Sequence, residues 1–188
     1  MGLDVNAYSG ELIRPVAGHK ASLRSDGSPV PRYCPNRDHV VAFALVGFEQ
    51  SLEDAEPGRC YEIADRSTGS RYFYAGSYSR YHEFRGDLAM AIVGIVQYEI
   101  QSNPDKYRDK PFFELIYFPD NDGVIGWKAA DRLAQDFRDH RDRYLAAHAI
   151  PSDADPDAAR DVLFMRNSYD SWQGIFEQAA DGGLVTFS

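Results

Sequence analysis

Tyr72-Phe73-Tyr74-Ala75-Gly76-Ser77-Tyr78-Ser79-Arg80-Tyr81-His82-Glu83-Phe84-Arg85 reads as a strand running through a glycine–serine turn into a helix. Aromatic residues favour the pleated surface of a strand, and Gly76 and Ser77 supply turn chemistry. Ser79 is the expected N-cap of the helix that follows. Beyond it, Leu88, Ala91, Ile92, Ile95 and Val96 recur at helical spacing. Met90 and Val93 fall on the opposite side, so this helix is predicted to be buried around most of its circumference.

Upstream, Leu3, Val5 and Ala7 alternate with Asp4, Asn6 and Tyr8, which predicts a strand or hairpin over residues 3–16 with a turn near Ser9-Gly10. Residues 17–38 read as a long loop punctuated by Gly18, Gly27, Pro29, Pro31 and Pro35. The apolar run from His39 to Phe48 fits a buried strand or a short helix, with β-branched residues favouring the strand. Cys60–Ala64 and Ser70–Ala75 read as two strands of one hairpin.

Downstream, Phe112–Phe118 is predicted to be the strongest strand, with Phe112, Glu114, Ile116 and Phe118 on one face. A second helix is expected over Ala129–His148 and a third over Asp170–Ala180, stopped by Gly182-Gly183. Leu184–Phe187 is a candidate for a last strand. Residues 150–161, acidic and carrying Pro151 and Pro156, read as a mobile loop. These elements predict an α+β fold: one globular domain over residues 1–188, with a small, mainly antiparallel sheet and three principal helices.

The composition excludes several classes. A content of 44% hydrophobic and 26% charged residues is that of a globular chain rather than a disordered one. A net charge of −9 argues against broad, non-specific nucleic-acid binding, which needs clustered cations. The longest apolar run, Leu88–Val96, is too short to span a bilayer, and residues 1–5 lack the basic and apolar regions of a signal peptide. Cys34 and Cys60 make neither a disulfide framework nor a zinc motif, so two reduced thiols in a cytoplasmic protein are expected.

The strand–turn–helix junction is the first candidate site. A helix start offers free N–H groups and a positive dipole end to an anion. Ser77, Ser79, Arg80 and Arg85 would hold a small anionic ligand such as a nucleotide, with Tyr78 or Tyr81 stacking on it. The full phosphate-binding fingerprints are missing, and in the simpler alternative Gly76 turns, Ser79 caps and the tyrosines pack.

Glu114, set among apolar neighbours, is the second candidate. It would be a general base, a ligand anchor or half of an ion pair. His82 is the other candidate base, so a hydrolase or transferase is the alternative function. Asp120-Asn121-Asp122-Gly123 fails the calcium-loop pattern and reads as a polar turn. The five histidines show no metal-ligand spacing, and no cofactor or metal is expected.

Four segments together resemble a family of small proteins of bacteria and their phages that has no assigned activity. They are Gly2–Tyr8, Ala75–Tyr81, Phe112–Gly126 and Ala179–Gly183 with the strand after it. The resemblance implies a soluble intracellular protein and carries over no catalytic residues. A phage or mobile-element interaction module is the third functional alternative, and the sequence leaves the oligomeric state open.

Overall fold

The computed structural model describes residues 2–30, 39–44, 48–64, 70–118 and 123–187. The strands are β1 (Gly2–Tyr8), β2 (Ile13–Lys20), β3 (Ser22–Leu23), β4 (Pro29–Val30), β5 (His39–Val41), β6 (Arg59–Ile63), β7 (Ser70–Ser77), β8 (Gly123–Gly126) and β9 (Leu184–Phe187). The helices are α1 (Tyr78–Leu88), α2 (Gln97–Ser102), α3 (Pro104–Tyr107), α4 (Phe113–Tyr117), α5 (Trp127–Ala147) and α6 (Pro156–Ala179). A 3-10 turn covers Glu49–Leu52, and a π turn, Ala89–Val93, continues α1.

The architecture is α+β. The principal sheet is antiparallel, in the order β7-β1-β9-β8. Alternation sends Leu3, Val5 and Ala7 of β1, with Val185 and Phe187 of β9, onto one face, where all are buried. That face packs against α1, α5 and α6 through Tyr81, Phe84, Leu133, Phe137, Trp172 and Phe176. Trp172 is the hub, its ring 5.3 Å from those of both Phe73 and Tyr81. At one corner of the opposite face, Tyr8, Val124 and Leu184 meet Ile13, Phe43, Leu52 and Ile63. That second cluster attaches the small β2-β6-β5 sheet.

The strand expected within residues 3–16 is β1, followed by a turn at residues 10–12, but neither expected hairpin forms. β1 pairs with β7 and β9, whereas β2 pairs with β6, so residues 3–16 cross from one sheet to the other. β6 and β7 are strands as expected, but they too lie in different sheets. Strand chemistry is local, whereas the choice of partner is set by which apolar faces meet.

Residues 17–30 are not a loop: β2 runs to Lys20, and β3 and β4 pair around an Asp26-Gly27 turn. Ser28 donates its N–H and hydroxyl to Asp26 Oδ1 at 2.9 and 2.6 Å, which closes that turn. The remainder of the expected loop, residues 31–38, lies outside the described residues, as do Asp120, Asn121 and Asp122.

The expected strand at Phe112–Phe118 is instead the short helix α4, entered through Phe112 in the left-handed region (φ 60, ψ 14). Phe112, Phe113, Leu115, Ile116 and Phe118 are all buried, and a run apolar on both faces carries no periodicity to separate strand from helix.

The acidic stretch at 150–161 is corrected in its second half, because α6 begins at Pro156. Asp155 accepts from the N–H groups of Asp157 and Ala158 at 3.1 and 3.3 Å. Proline at a first helical position starts a helix rather than breaking it. On α1 the cap is Ser77, not Ser79: its Oγ accepts the Arg80 N–H at 3.3 Å. Met90 is 53% exposed, so the helix keeps one wet face.

Cys60, buried in β6, is disulfide-bonded, which corrects the expectation of a reduced thiol. Spacing along the chain does not report proximity in space, and a disulfide is favoured in an oxidising compartment. Cys34 lies outside the described residues. Among the described residues, no helix is long and apolar enough to cross a membrane.

Candidate functional site

A cavity of about 670 Å³ opens between α4, α5 and the 3-10 turn. Helix α5 contributes Arg132, Gln135 and Asp136, and the 3-10 turn with the residue after it contributes Gln50 and Glu53. The segment from α3 into α4 supplies Arg108, Lys110 and Glu114, with Asp109, Pro111 and Phe113 completing the wall.

The 3-10 turn is clamped in place. Ser51 Oγ donates to the Val124 carbonyl at 3.0 Å, and Asp54 faces the start of α5. Burial pushes the Asp54 pKa up, and the N–H groups of Lys128 and Trp127 partly offset this. A Cβ on Gly126 would stand 2.7 Å from Asp54 Oδ1, so glycine there leaves room for the carboxylate.

The two inner carboxylates have unlike partners. Glu114, 11% exposed at its side chain, accepts from Arg132 Nε at 2.6 Å. The same guanidinium donates through Nη1 to Glu53 Oε2 at 2.9 Å. Burial works against the Arg132 charge, but Glu114 and Glu53 outweigh it and raise the pKa. Asp136, one helical turn further along α5, accepts the neutral backbone N–H of Phe112 at 2.6 Å.

Burial pushes the Asp136 pKa up to about 6, with Glu114 and Asp139 adding to the rise and the Phe112 N–H opposing it. Asp136 is thus a carboxyl able to gain and lose a proton near neutrality, beside a carboxylate neutralised by arginine.

Phe112 holds this corner. It is the one non-glycine residue with positive φ among the described residues. Such backbone costs about 1–3 kcal/mol and persists where the surroundings over-determine it. Here Asp136 fixes the N–H, and the ring sits edge-on to Phe137 at 4.8 Å and near Tyr169 at 6.3 Å.

His140, a further turn along α5, lies 5.9 Å from the Phe112 ring, and burial lowers its pKa. At the end of the same stripe, Tyr144 Oη donates to Asp87 at 2.5 Å, and His148 Nε2 stands 3.0 Å from Asp87. His148 Nδ1 meets the Tyr144 carbonyl at 2.9 Å within the end of α5, so both ring nitrogens are engaged and Nε2 is the one that ties α5 to α1.

The residues of the strand–turn–helix junction are occupied within the fold. Ser77 caps α1 and shares a hydrogen bond with Ser79 at 2.7 Å. Arg80 pairs with Glu83 at 3.0 Å and Asp161 at 3.5 Å, and lies over the Phe164 ring. Tyr78 packs against the core. Arg85 and Tyr81, each 1% exposed, stack on one another, and Arg85 Nη1 donates to the Phe118 carbonyl. His82 is exposed on α1, away from the cavity wall.

Glu114 alone among the candidates from sequence lines the cavity. Arg132, Asp136 and Phe112 were missed. Their signal was weak: Arg132 and Asp136 stand four apart on α5, next to the inward Leu133 and Phe137. Among the described residues, no group of three or more His, Cys, Asp or Glu side chains is arranged to hold a metal ion.

No known protein family, no curated protein and no solved structure matches this chain. The resemblance to small bacterial and phage proteins therefore rests on sequence motifs alone.

Proposed function

We propose that the cavity between α4 and α5 is an acid–base catalytic site of a hydrolase, with Asp136 as the proton-transfer group. One observation carries this reading: Asp136 and Glu114 line one cavity with unlike partners, a neutral N–H for Asp136 and a guanidinium for Glu114. A carboxyl able to exist in either protonation state near neutrality is what acid–base catalysis requires.

Ionised Asp136 takes a proton from water as the water oxygen bonds to the electrophilic atom of the substrate. It returns that proton to the leaving group as the scissile bond breaks. Glu114 is committed to Arg132 and serves to anchor a polar group of the substrate. The base thus shifts from Glu114, the candidate from sequence, to its neighbour across the cavity.

Nitrophenyl acetate, phosphate and glucoside provide the test, each assayed with wild type, Asp136→Asn and Glu114→Gln. The expected result is turnover of one class, lost by at least about a hundredfold in Asp136→Asn. Undiminished turnover in that variant, or no turnover of any class by wild type, overturns the reading.

A further inference from the structure

Resting on that reading, we infer that Arg108 and Lys110, at the rim of the cavity, form the subsite for an oxyanion group of the substrate, a carboxylate or a phosphate. The cavity has three cations, and they are not equivalent. Arg132 is committed to Glu114 and Glu53 at 2.6 and 2.9 Å. Arg108 donates to Asp105 at 3.0 Å, but that carboxylate is 92% exposed and water competes for it. Lys110 pairs with no carboxylate among the described residues. Donors to spare are therefore concentrated on the rim.

The rim is held at both ends. Tyr107, at its start, is buried and donates its hydroxyl to Glu99 at 3.0 Å. The Lys110 N–H donates to the Tyr107 carbonyl at 2.9 Å, and the Phe113 N–H to the Lys110 carbonyl at 3.2 Å. Pro111 fixes the backbone between Lys110 and the buried Phe112.

Arg108 and Lys110 are thus carried on two successive turns and border the same cavity as Asp136 and Glu114. Asp109 shares the rim and repels an anion, which narrows the favourable position to the space beside the two cations. A substrate with an oxyanion there shares the cavity with Asp136. A free nucleotide base is not required by this chemistry.

The test uses the intact protein at low ionic strength, titrated separately with inorganic phosphate and with acetate and followed by amide chemical shifts. Saturable shifts at the amides of residues 108–110, 112 and 113 with one probe support the inference and identify which oxyanion is preferred. The Arg108→Ala/Lys110→Ala protein should bind at least about tenfold more weakly, because both charged donors are gone. Asp136→Asn should retain the binding, which separates this subsite from the catalytic proposal. With a turned-over nitrophenyl substrate bearing the preferred group, Lys110→Ala should raise KM and leave kcat unchanged. No saturable binding of either probe, or equal affinity in the double variant, overturns the inference.

Discussion

The backbone N–H of Phe112 donates to Asp136 Oδ2 at 2.6 Å, so the strained left-handed residue and the titrating carboxyl of the cavity constrain each other. Asp136 satisfies an amide that a left-handed turn leaves facing inward. Phe112 in return holds the carboxyl at the cavity wall without supplying a counter-charge. A neutral donor lowers a carboxyl pKa less than a guanidinium would, and burial therefore dominates at Asp136.

The first consequence concerns pH. The folded-state pKa of Asp136, about 6, lies above the ordinary value of 3.8, so the native state holds this proton more tightly than the unfolded chain. Its contribution to stability is complete below pH 3.8 and is lost as pH rises through about 6. Asp136→Asn keeps an acceptor for the Phe112 N–H and removes the cost of ionisation. After discounting for solvent screening, the variant should be about 1 kcal/mol more stable at pH 7. Urea midpoints from pH 4 to 8 check this; a slope identical to wild type refutes it.

The same carboxyl should govern catalysis. If ionised Asp136 is the base, kcat/KM rises with pH through about 6 and levels above it. A pH profile for the substrate found in the nitrophenyl screen checks the sign. A rate that falls over that interval would assign Asp136 the role of acid.

Phe112→Ala removes a fully buried ring that meets Phe137 at 4.8 Å. The expected cost is about 3–5 kcal/mol, from lost burial and the cavity left behind. Phe112→Gly loses the same ring but regains about 1 kcal/mol from its tolerance of positive φ. Chemical denaturation of both variants tests the strain directly: glycine should be the more stable of the two.

Arg132 and Arg80 both form ion pairs, and burial separates their contributions. Arg132→Ala leaves Glu114, 11% exposed, without its cation, at a cost of about 1–3 kcal/mol. The carboxylates that pair with Arg80 are at least half exposed, and Arg80→Ala should cost under about 1 kcal/mol. A double-mutant cycle between Glu114→Gln and Arg132→Ala should show coupling. Additive losses would remove the pair from the description of the site.

Reduction provides a further check. Cys60 is disulfide-bonded, so alkylation at this residue should require prior reductant. The reduced protein should be less stable by about 2–4 kcal/mol. Peptide mapping and thermal melts with and without reductant would show it.

Much of the secondary structure was legible in the residues themselves. The alternation of β1, the turn from β7 into α1, the inward stripe of α5 and the glycines after α6 are local signals. Local chemistry reproduces them. The α+β class follows from their mixture. What failed locally had a common cause: where every residue is buried, as in Phe112–Phe118, no polar side marks the period. Where most of a segment is exposed, as in the first turn of α6, no apolar side does.

The site belongs to the tertiary structure. Glu114 stood out in the sequence because a carboxylate among apolar residues needs a partner, but nothing local names Arg132 or Asp136. The sheet order β7-β1-β9-β8 brings α5 under the helices formed from the middle of the chain. Only that packing brings Glu114 to the Arg132 guanidinium and Asp136 to the Phe112 N–H on the wall of one cavity. Serine, glycine and arginine at Gly76–Arg85 express a local rule, and the fold uses them to start a helix and fill its core. Pairing strength and proton affinity depend on distance and burial, and those exist only once distant segments have met.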